Sequence, residues 1–288
     1  MTTEPPSHCP CCGQSTPQEF RFARNGCRIV RCTVCGTGRA VVGAFNADAY
    51  YSASYFNGGL ADGYADYVGS EAILRAGFRK IVDLIKRRGV TGGTLLEVGC
   101  AYGFLLQEAR NDFTVHGVEI CGEAVAWCHA QGLENVHRGV VDEGVLDTVG
   151  TADVIVMLDV IEHLETPDRT FDMVARRLRP GGLLVVTTGD WGSPVARLTG
   201  ASWRLMTPPQ HLWYFTRAGM ARLAARHGLE IVELRHPAKT VPLSLILFQL
   251  ARMFGMDPRA GGGCLKAASG LGVPVNLFDA MQVVLRKA

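Results

Sequence analysis

Two sets of residues in this 288-residue chain have the types and spacing to do chemistry. The first is Thr94-Leu95-Leu96-Glu97-Val98-Gly99-Cys100-Ala101-Tyr102-Gly103, a short apolar run followed by a glycine-bearing turn, with a helix-like segment from Phe104. A strand that feeds such a turn lets a nucleoside ligand approach the backbone, because glycine adopts conformations that side chains block. A second acid, Glu119, closes the next strand candidate, Val115–Glu119, 22 positions after Glu97. That is about where the carboxylate that holds ribose hydroxyls stands in a dinucleotide fold. The second set is Cys9-Pro10-Cys11-Cys12-Gly13 and Cys32-Thr33-Val34-Cys35-Gly36, two C-x-x-C-G turns separated by 19 residues. Each turn curls its backbone round a pair of thiolates, and two of them present four sulfurs to tetrahedral zinc. Cys9, Cys12, Cys32 and Cys35 are the expected ligands, with His8, Cys11 and Cys27 as spare donors nearby. Four sulfurs close the coordination sphere, so this zinc is structural and supplies most of the folding energy of a segment with little core.

The glycine turn departs from the dinucleotide pattern G-x-G-x-x-G, since Ala101 and Phe104 occupy two of its positions. The acid two residues before the first glycine is foreign to that pattern as well. Glu97-x-Gly99-x-Ala101-x-Gly103 resembles instead the loop of the class I S-adenosylmethionine-dependent methyltransferases, and the resemblance runs from about Tyr50 to the end of the chain. It implies an α/β fold, a Rossmann-like sandwich with a mostly parallel seven-stranded sheet. It further implies that Glu97 supports the loop and meets the methionine end of S-adenosylmethionine, and that Glu119 takes the ribose. Gly99, Cys100, Gly103 and Ile120 line the same seat, Asp142 reads the adenine edge, and Asp159 stands beside the methyl donor. With its N-terminal ribbon, the chain looks like the zinc-ribbon-bearing methyltransferases of bacterial polysaccharide and secondary-metabolite pathways.

Methyl transfer to a hydroxyl needs an aligned acceptor and a place for its proton, and a neutral imidazole suits that task. His163, in Asp159-Val160-Ile161-Glu162-His163, directly follows the fourth strand candidate. His211 lies in Pro208-Pro209-Gln210-His211-Leu212-Trp213-Tyr214-Phe215-Thr216, after the fifth. Either is a candidate base. The same stretch resembles the acid-x-x-Glu-His element of ubiquinone-biosynthesis O-methyltransferases and small-RNA 2′-O-methyltransferases, which implies a divalent ion at Asp159, Glu162, His163 and His211. A third reading gives these residues a structural role only.

The elements that position these groups follow from apolar periodicity. Strands are expected at 94–98, 115–119, 135–138, 153–158 and 183–188, with a closing antiparallel pair at 229–234 and 281–286. Helices are expected at about 66–88, 122–131 and 170–178, and Arg179-Pro180-Gly181-Gly182 reads as a stop. The chain divides into a zinc ribbon (1–42, with a hairpin over 19–22 and 27–31), a linker or lid with a leading helix (43–90), and a methyltransferase domain (91–288). The last carries an acceptor loop at 189–215 and an insertion at 241–275. Tyr50, Tyr51, Tyr55, Phe56, Tyr64 and Tyr67 form either a lid or a packing surface between the parts. Val241 to Met256 reads as a helix apolar round much of its circumference, suited to burial or to a homodimer contact, and Gly261-Gly262-Gly263 as a break. The longest apolar run is too short to span a bilayer. No leader segment is visible, so the expected compartment is the cytoplasm. A net charge of +2 leaves no basic footprint for a nucleic-acid partner. The expected function is therefore O-methylation of a small molecule, a sugar or natural-product hydroxyl, with RNA methylation or a non-catalytic ribbon protein as alternatives.

Overall fold

A computed structural model of the chain describes residues 3–43, 45–60, 63–253 and 268–288. The chain opens with four antiparallel strands, β1 (Thr3–Cys9), β2 (Gln14–Arg24), β3 (Cys27–Cys32) and β4 (Gly38–Val41). Two one-turn helices follow, α1 (Ala47–Tyr50) and α2 (Ala53–Phe56). The first long helix, α3 (Glu71–Arg87), begins five residues after the expected boundary at about 66, and Val68–Ser70 forms a 3-10 turn before it. Glu71 in its first turn and Lys86 and Arg87 in its last complement the helix dipole.

Strands and helices then alternate: β5 (Thr94–Val98), α4 (Phe104–Ala109), β6 (Thr114–Glu119), α5 (Gly122–Ala130), β7 (Val136–Arg138), α6 (Glu143–Val149), β8 (Ala152–Leu158), α7 (Pro167–Arg177) and β9 (Leu178–Gly189). Next come α8 (Pro194–Thr199), β10 (Trp213–Tyr214), α9 (Arg217–Arg226), β11 (Leu229–Arg235), β12 (Lys239–Pro242), α10 (Leu243–Met253), β13 (Gly272–Val275) and β14 (Ala280–Lys287). The main sheet has seven strands in the order β11-β14-β9-β8-β5-β6-β7. β5 to β9 run parallel, and β14 lies antiparallel to both β9 and β11, as the sequence pattern predicts.

Successive residues of a strand face opposite sides, so one sheet buries two cores. Leu96, Val98, Ile155, Met157, Leu184 and Val186 pack with Phe171 and Val174 of α7 and Met220 and Leu223 of α9. Leu95, Val154, Val156 and Val185 face the other way, toward Val82 and Ile85 of α3 and Leu105 and Leu106 of α4. Each such side chain contributes about 1.5–3 kcal/mol when fully buried. The buried ribbon cysteines belong to the first of these cores.

Three expectations change. Arg179–Gly182 is not a stop between elements but an irregularity inside β9, where Ala152 pairs with Leu178 and Val154 already pairs with Leu183. Gly181, with φ of 73°, supplies the bend. Val241 and Pro242 belong to β12, which pairs with β13, so the insertion opens as a strand. Proline biases its predecessor toward extended backbone, which delays α10 to Leu243. The rest of that segment, with Phe254, Met256 and the triple glycine, lies outside the described residues. Finally, the expected acceptor loop at 189–215 ends in a short strand, β10, which pairs antiparallel with β4 as the fifth strand of the ribbon sheet.

Candidate active site

β5 and β6 end side by side and deliver Glu97 and Glu119, 4% and 5% exposed. The turn after β5 carries three left-handed residues, Gly99 (φ 72°), Ala101 (φ 46°) and Gly103 (φ 69°). A Cβ on Gly99 would stand 2.6 Å from Val160, and one on Gly103 would stand 2.6 Å from Leu133 and 2.9 Å from the Cys128 sulfur. Both positions therefore need glycine for space as well as for φ. Glu119 ties this turn to the next one: its Oε2 accepts the Ala101 N–H and its Oε1 the Cys121 N–H, each at 2.8 Å. Burial still raises its carboxyl above the ordinary range, against these bonds. Glu97 has no such support. Its Oε2 is buried without a partner, and burial, the Cys128 sulfur and Glu119 together push its carboxyl well up. Tyr67 stacks on Phe104, and burial, then Tyr64, Glu97 and Glu119, raise its phenol. A cleft of about 320 Å³ is lined by Ile120, Cys121, Gly122, Asp48, Tyr51 and Ser52. Cys100 is buried behind the turn, near Gly117. Asp142, placed by sequence at the adenine edge, caps α6 through Oδ1, which accepts the Val145 N–H at 2.9 Å.

The second half of the site follows β8. Val160, in contact range of the Gly99 turn, leads into the 3-10 turn Ile161–His163. One ligand-type atom from each of Glu162, His163 and His211 lies within 4.8 Å of the others, and the two rings meet edge to face at 4.7 Å. His211 Nδ1 stands 2.8 Å from the Leu205 carbonyl, and His163 Nδ1 stands 2.9 Å from the Gln210 carbonyl. A carbonyl only accepts, so each Nδ1 carries the proton and each Nε2 keeps its lone pair. The Tyr51 hydroxyl reaches the same His163 Nδ1 at 2.7 Å. Glu162 is 4% exposed, and one of its oxygens has no partner. Burial and the charge of Asp159 push it up to about 8. Asp159 itself does not join the group. Burial opposes its ionisation, but Lys239 of β12, 2.6 Å away, and the Thr187 hydroxyl at 2.8 Å hold it below the ordinary carboxylate range. The four-residue metal set expected from sequence thus reduces to three.

Burial, with His163 close by, pushes His211 down to about 3. Between that value and an unfolded one near 6.5, the denatured chain takes up a proton that folded His211 refuses. Its stabilising contribution is thus complete above about pH 6.5 and is lost as pH falls. Urea unfolding between about pH 4 and 5.5 should carry a slope of roughly 1.4 kcal/mol per pH unit from this residue. His211→Gln should remove that slope; an unchanged pH dependence in the variant contradicts the assignment.

In the ribbon, one sulfur from each of Cys9, Cys12, Cys32 and Cys35 lies within 4.8 Å of the others, a set compatible with a zinc ribbon. Cys9 and Cys35 are 3.5 Å apart and Cys12 and Cys32 are 3.9 Å apart. Hydrogen bonds from Cys11 and Cys9 lower Cys35 toward the thiolate that a metal requires. Cys11, fully buried, accepts the Thr37 hydroxyl at 3.3 Å behind the knuckle. Cys27 lies away from the group, at the other end of β3. No helix among the described residues is long and apolar enough to cross a membrane.

Sequence patterns alone did not point to Lys239 or single out Tyr51. Tyr51 stood within a conspicuous aromatic run, whereas Lys239 had no motif around it.

An acid-and-glycine turn thus stands at the carboxyl ends of the parallel strands β5 and β6, with a histidine pair beyond the neighbouring end of β8. The chain belongs to the methyltransferase-domain family, whose profile, described as "Methyltransferase domain", matches residues 73–234, more than half of the chain. It is 26% identical over 159 residues to a ubiquinone biosynthesis O-methyltransferase of Cupriavidus pinatubonensis, covering 51% of this chain and 64% of that one. It is 37% identical over 103 residues to a protein of the same name from a Caulobacter species, covering 34% and 41%. The chain thus spans less than two thirds of the length of these relatives. Among solved structures it is similar to the magnesium protoporphyrin IX methyltransferase of Synechocystis PCC 6803 with bound SAH. That likeness has 13% identity, 86% and 90% coverage of the two chains and a TM-score of 0.49.

Proposed function

We propose that this protein transfers the methyl group of S-adenosylmethionine to a hydroxyl of a small-molecule acceptor, a sugar or natural product. The observation that carries the reading is the meeting of two things at adjacent strand ends. One is a pair of buried carboxylates; the other is two histidines whose Nδ1–H groups are each held by a backbone carbonyl. S-adenosylmethionine, when bound, supplies an electrophilic methyl group and two positive charges. The seat fits it: the orphan Glu97 oxygen can accept from its ammonium, and Glu119, held by backbone amides, keeps lone pairs for ribose hydroxyls. His163 or His211 then takes the acceptor's proton at Nε2 while the acceptor oxygen takes the methyl group. The backbone carbonyls hold each ring in the tautomer this requires. The tyrosine-rich lid excludes water and presents Tyr51 to His163. The naming of the two relatives as O-methyltransferases supports a hydroxyl acceptor.

The unpartnered Glu162 oxygen favours a second reading, in which Glu162 and the two Nε2 atoms hold a divalent ion that polarises the acceptor hydroxyl. Assays with labelled donor and a panel of hydroxyl acceptors, before and after chelation, separate the two. Turnover that survives chelation supports the base, whereas turnover restored only by magnesium or zinc supports the ion. If calorimetry finds no binding of S-adenosylmethionine or its demethylated product, both readings fall. Glu119→Ala should weaken that binding by about 1.5–3 kcal/mol, the range for hydrogen bonds to a charged group. Unchanged affinity would dismiss the ribose role.

A further inference from the structure

We infer that the four-cysteine ribbon is a built-in part of the acceptor site: through β10 it holds His211 and Glu162 in register, so the metal site governs turnover but not the nucleoside seat. This rests on the reading of His163 and His211 as acceptor-side machinery.

The connection is continuous. Trp213 and Tyr214 of β10 pair with Arg39 and Gly38 of β4, and the Arg39 guanidinium lies 5.7 Å over the Trp213 ring. Ala40 N–H donates to the Leu212 carbonyl at 2.9 Å, and the Leu212 N–H donates to the Glu162 carbonyl at 2.8 Å. One residue, Leu212, is thus bonded on one side to the ribbon and on the other to the Glu162 turn. His211 precedes it directly. Trp213 Nε1 donates to the Leu164 carbonyl at 2.9 Å, which fixes the far end of that turn.

Below β10, the Thr216 hydroxyl donates to the Cys35 carbonyl at 3.0 Å, and the Arg226 guanidinium donates to the Pro10 carbonyl at 2.6 Å. Each of these bonds ends on one of the two cysteine knuckles. The packing leaves no slack: a Cβ on Gly219 would stand 2.1 Å from the Thr37 hydroxyl, and one on Gly38 would stand 2.2 Å from Trp191. None of these contacts touches Glu97, Glu119 or the Gly99 turn. Ala40, Thr216 and Leu212 are therefore positioning residues, and a displacement of about 1 Å at such a site can cost about a hundredfold in rate.

The test uses the full-length, metal-loaded protein. Ala40→Pro deletes the N–H that reaches Leu212 and leaves all four cysteines in place. Expected results are unchanged metal content, unchanged calorimetric affinity for the demethylated cofactor, and turnover lower by about ten- to a hundredfold. In ¹⁵N-resolved histidine spectra, the Nδ1–H signals of His211 and His163 should shift or lose protection from solvent exchange. Gradual metal removal by a chelator should move the same two signals, and zinc should restore them. Wild-type signals in both Ala40→Pro and the metal-free protein would overturn the inference. Because these resonances require no acceptor, they decide the matter even with an acceptor that is not turned over, which bears on the proposed reaction alone.

Discussion

Replacing His211 by alanine is expected to cut turnover about 10²- to 10⁴-fold, the usual worth of a positioned acid or base, with cofactor affinity nearly unchanged. The expectation rests on two features of the ring. Its Nδ1–H is committed to the Leu205 carbonyl, and His163 stands edge-on at 4.7 Å. A neutral imidazole with one free lone pair can accept a proton; an imidazolium cannot. His163→Ala should act in the same direction, since its Nδ1 is held in the same way by Gln210. The two effects should fall well short of additive, because the rings touch and share one site. The double variant then costs little more than the worse single one. If both single variants turn over at the wild-type rate, neither ring is the base, and Glu162 becomes the group to pursue.

The second large effect is expected at Cys32→Ser, which should empty the ribbon's metal site and unfold the segment around it. Cys32 is 1% exposed, and its sulfur takes part in the four-thiol cluster while contacting the Thr16 hydroxyl at 3.2 Å. Structural zinc sites of this kind carry apparent binding energies of about 10–16 kcal/mol at neutral pH, and a serine oxygen does not replace a thiolate in them. Metal content and limited proteolysis of the first 42 residues measure the outcome. Cys11→Ser is the control. Cys11 is as deeply buried and lies beside the same knuckle, yet its sulfur is not one of the four. That variant should therefore keep its metal. Loss of zinc from Cys11→Ser and not from Cys32→Ser would reassign the ligand set by one residue.

What the sequence made legible was chemistry that needs fixed spacing. Glu97, Gly99, Gly103 and Glu119 could be placed because a strand end and a tight turn constrain where an acid and a glycine can serve. The two C-x-x-C-G units could be placed because four sulfurs must converge on one point. The alternation of strand and helix from Thr94 to Gly189 carried the parallel core of the sheet with it. Features that depend on distant partners were not legible. Trp213-Tyr214 is too short a run to announce a strand, and nothing in it names β4 as its neighbour. Lys239 meets Asp159 from a strand 80 positions further along the chain, β12, which pairs with β13. Asp159 looked like a metal ligand from its place in a motif. Its salt bridge to Lys239 is a tertiary fact that local pattern does not hold.

The fifth strand of the ribbon also bears on the order of assembly. The hydrogen bond between Thr216 and Cys35 joins residues 181 positions apart, and that between Arg226 and Pro10 joins residues 216 apart. On a ribosome, the N-terminal fingers emerge first and wait with an open β4 edge until the segment after His211 has been made, at about 5–20 residues per second. Such distant closures are slow to form, and a bare edge invites the wrong neighbour in the meantime. Excising the first 42 residues would, by the same logic, not release a tidy catalytic half. It would strip β10 of its strand neighbour β4 and leave the histidine-bearing segment without a template.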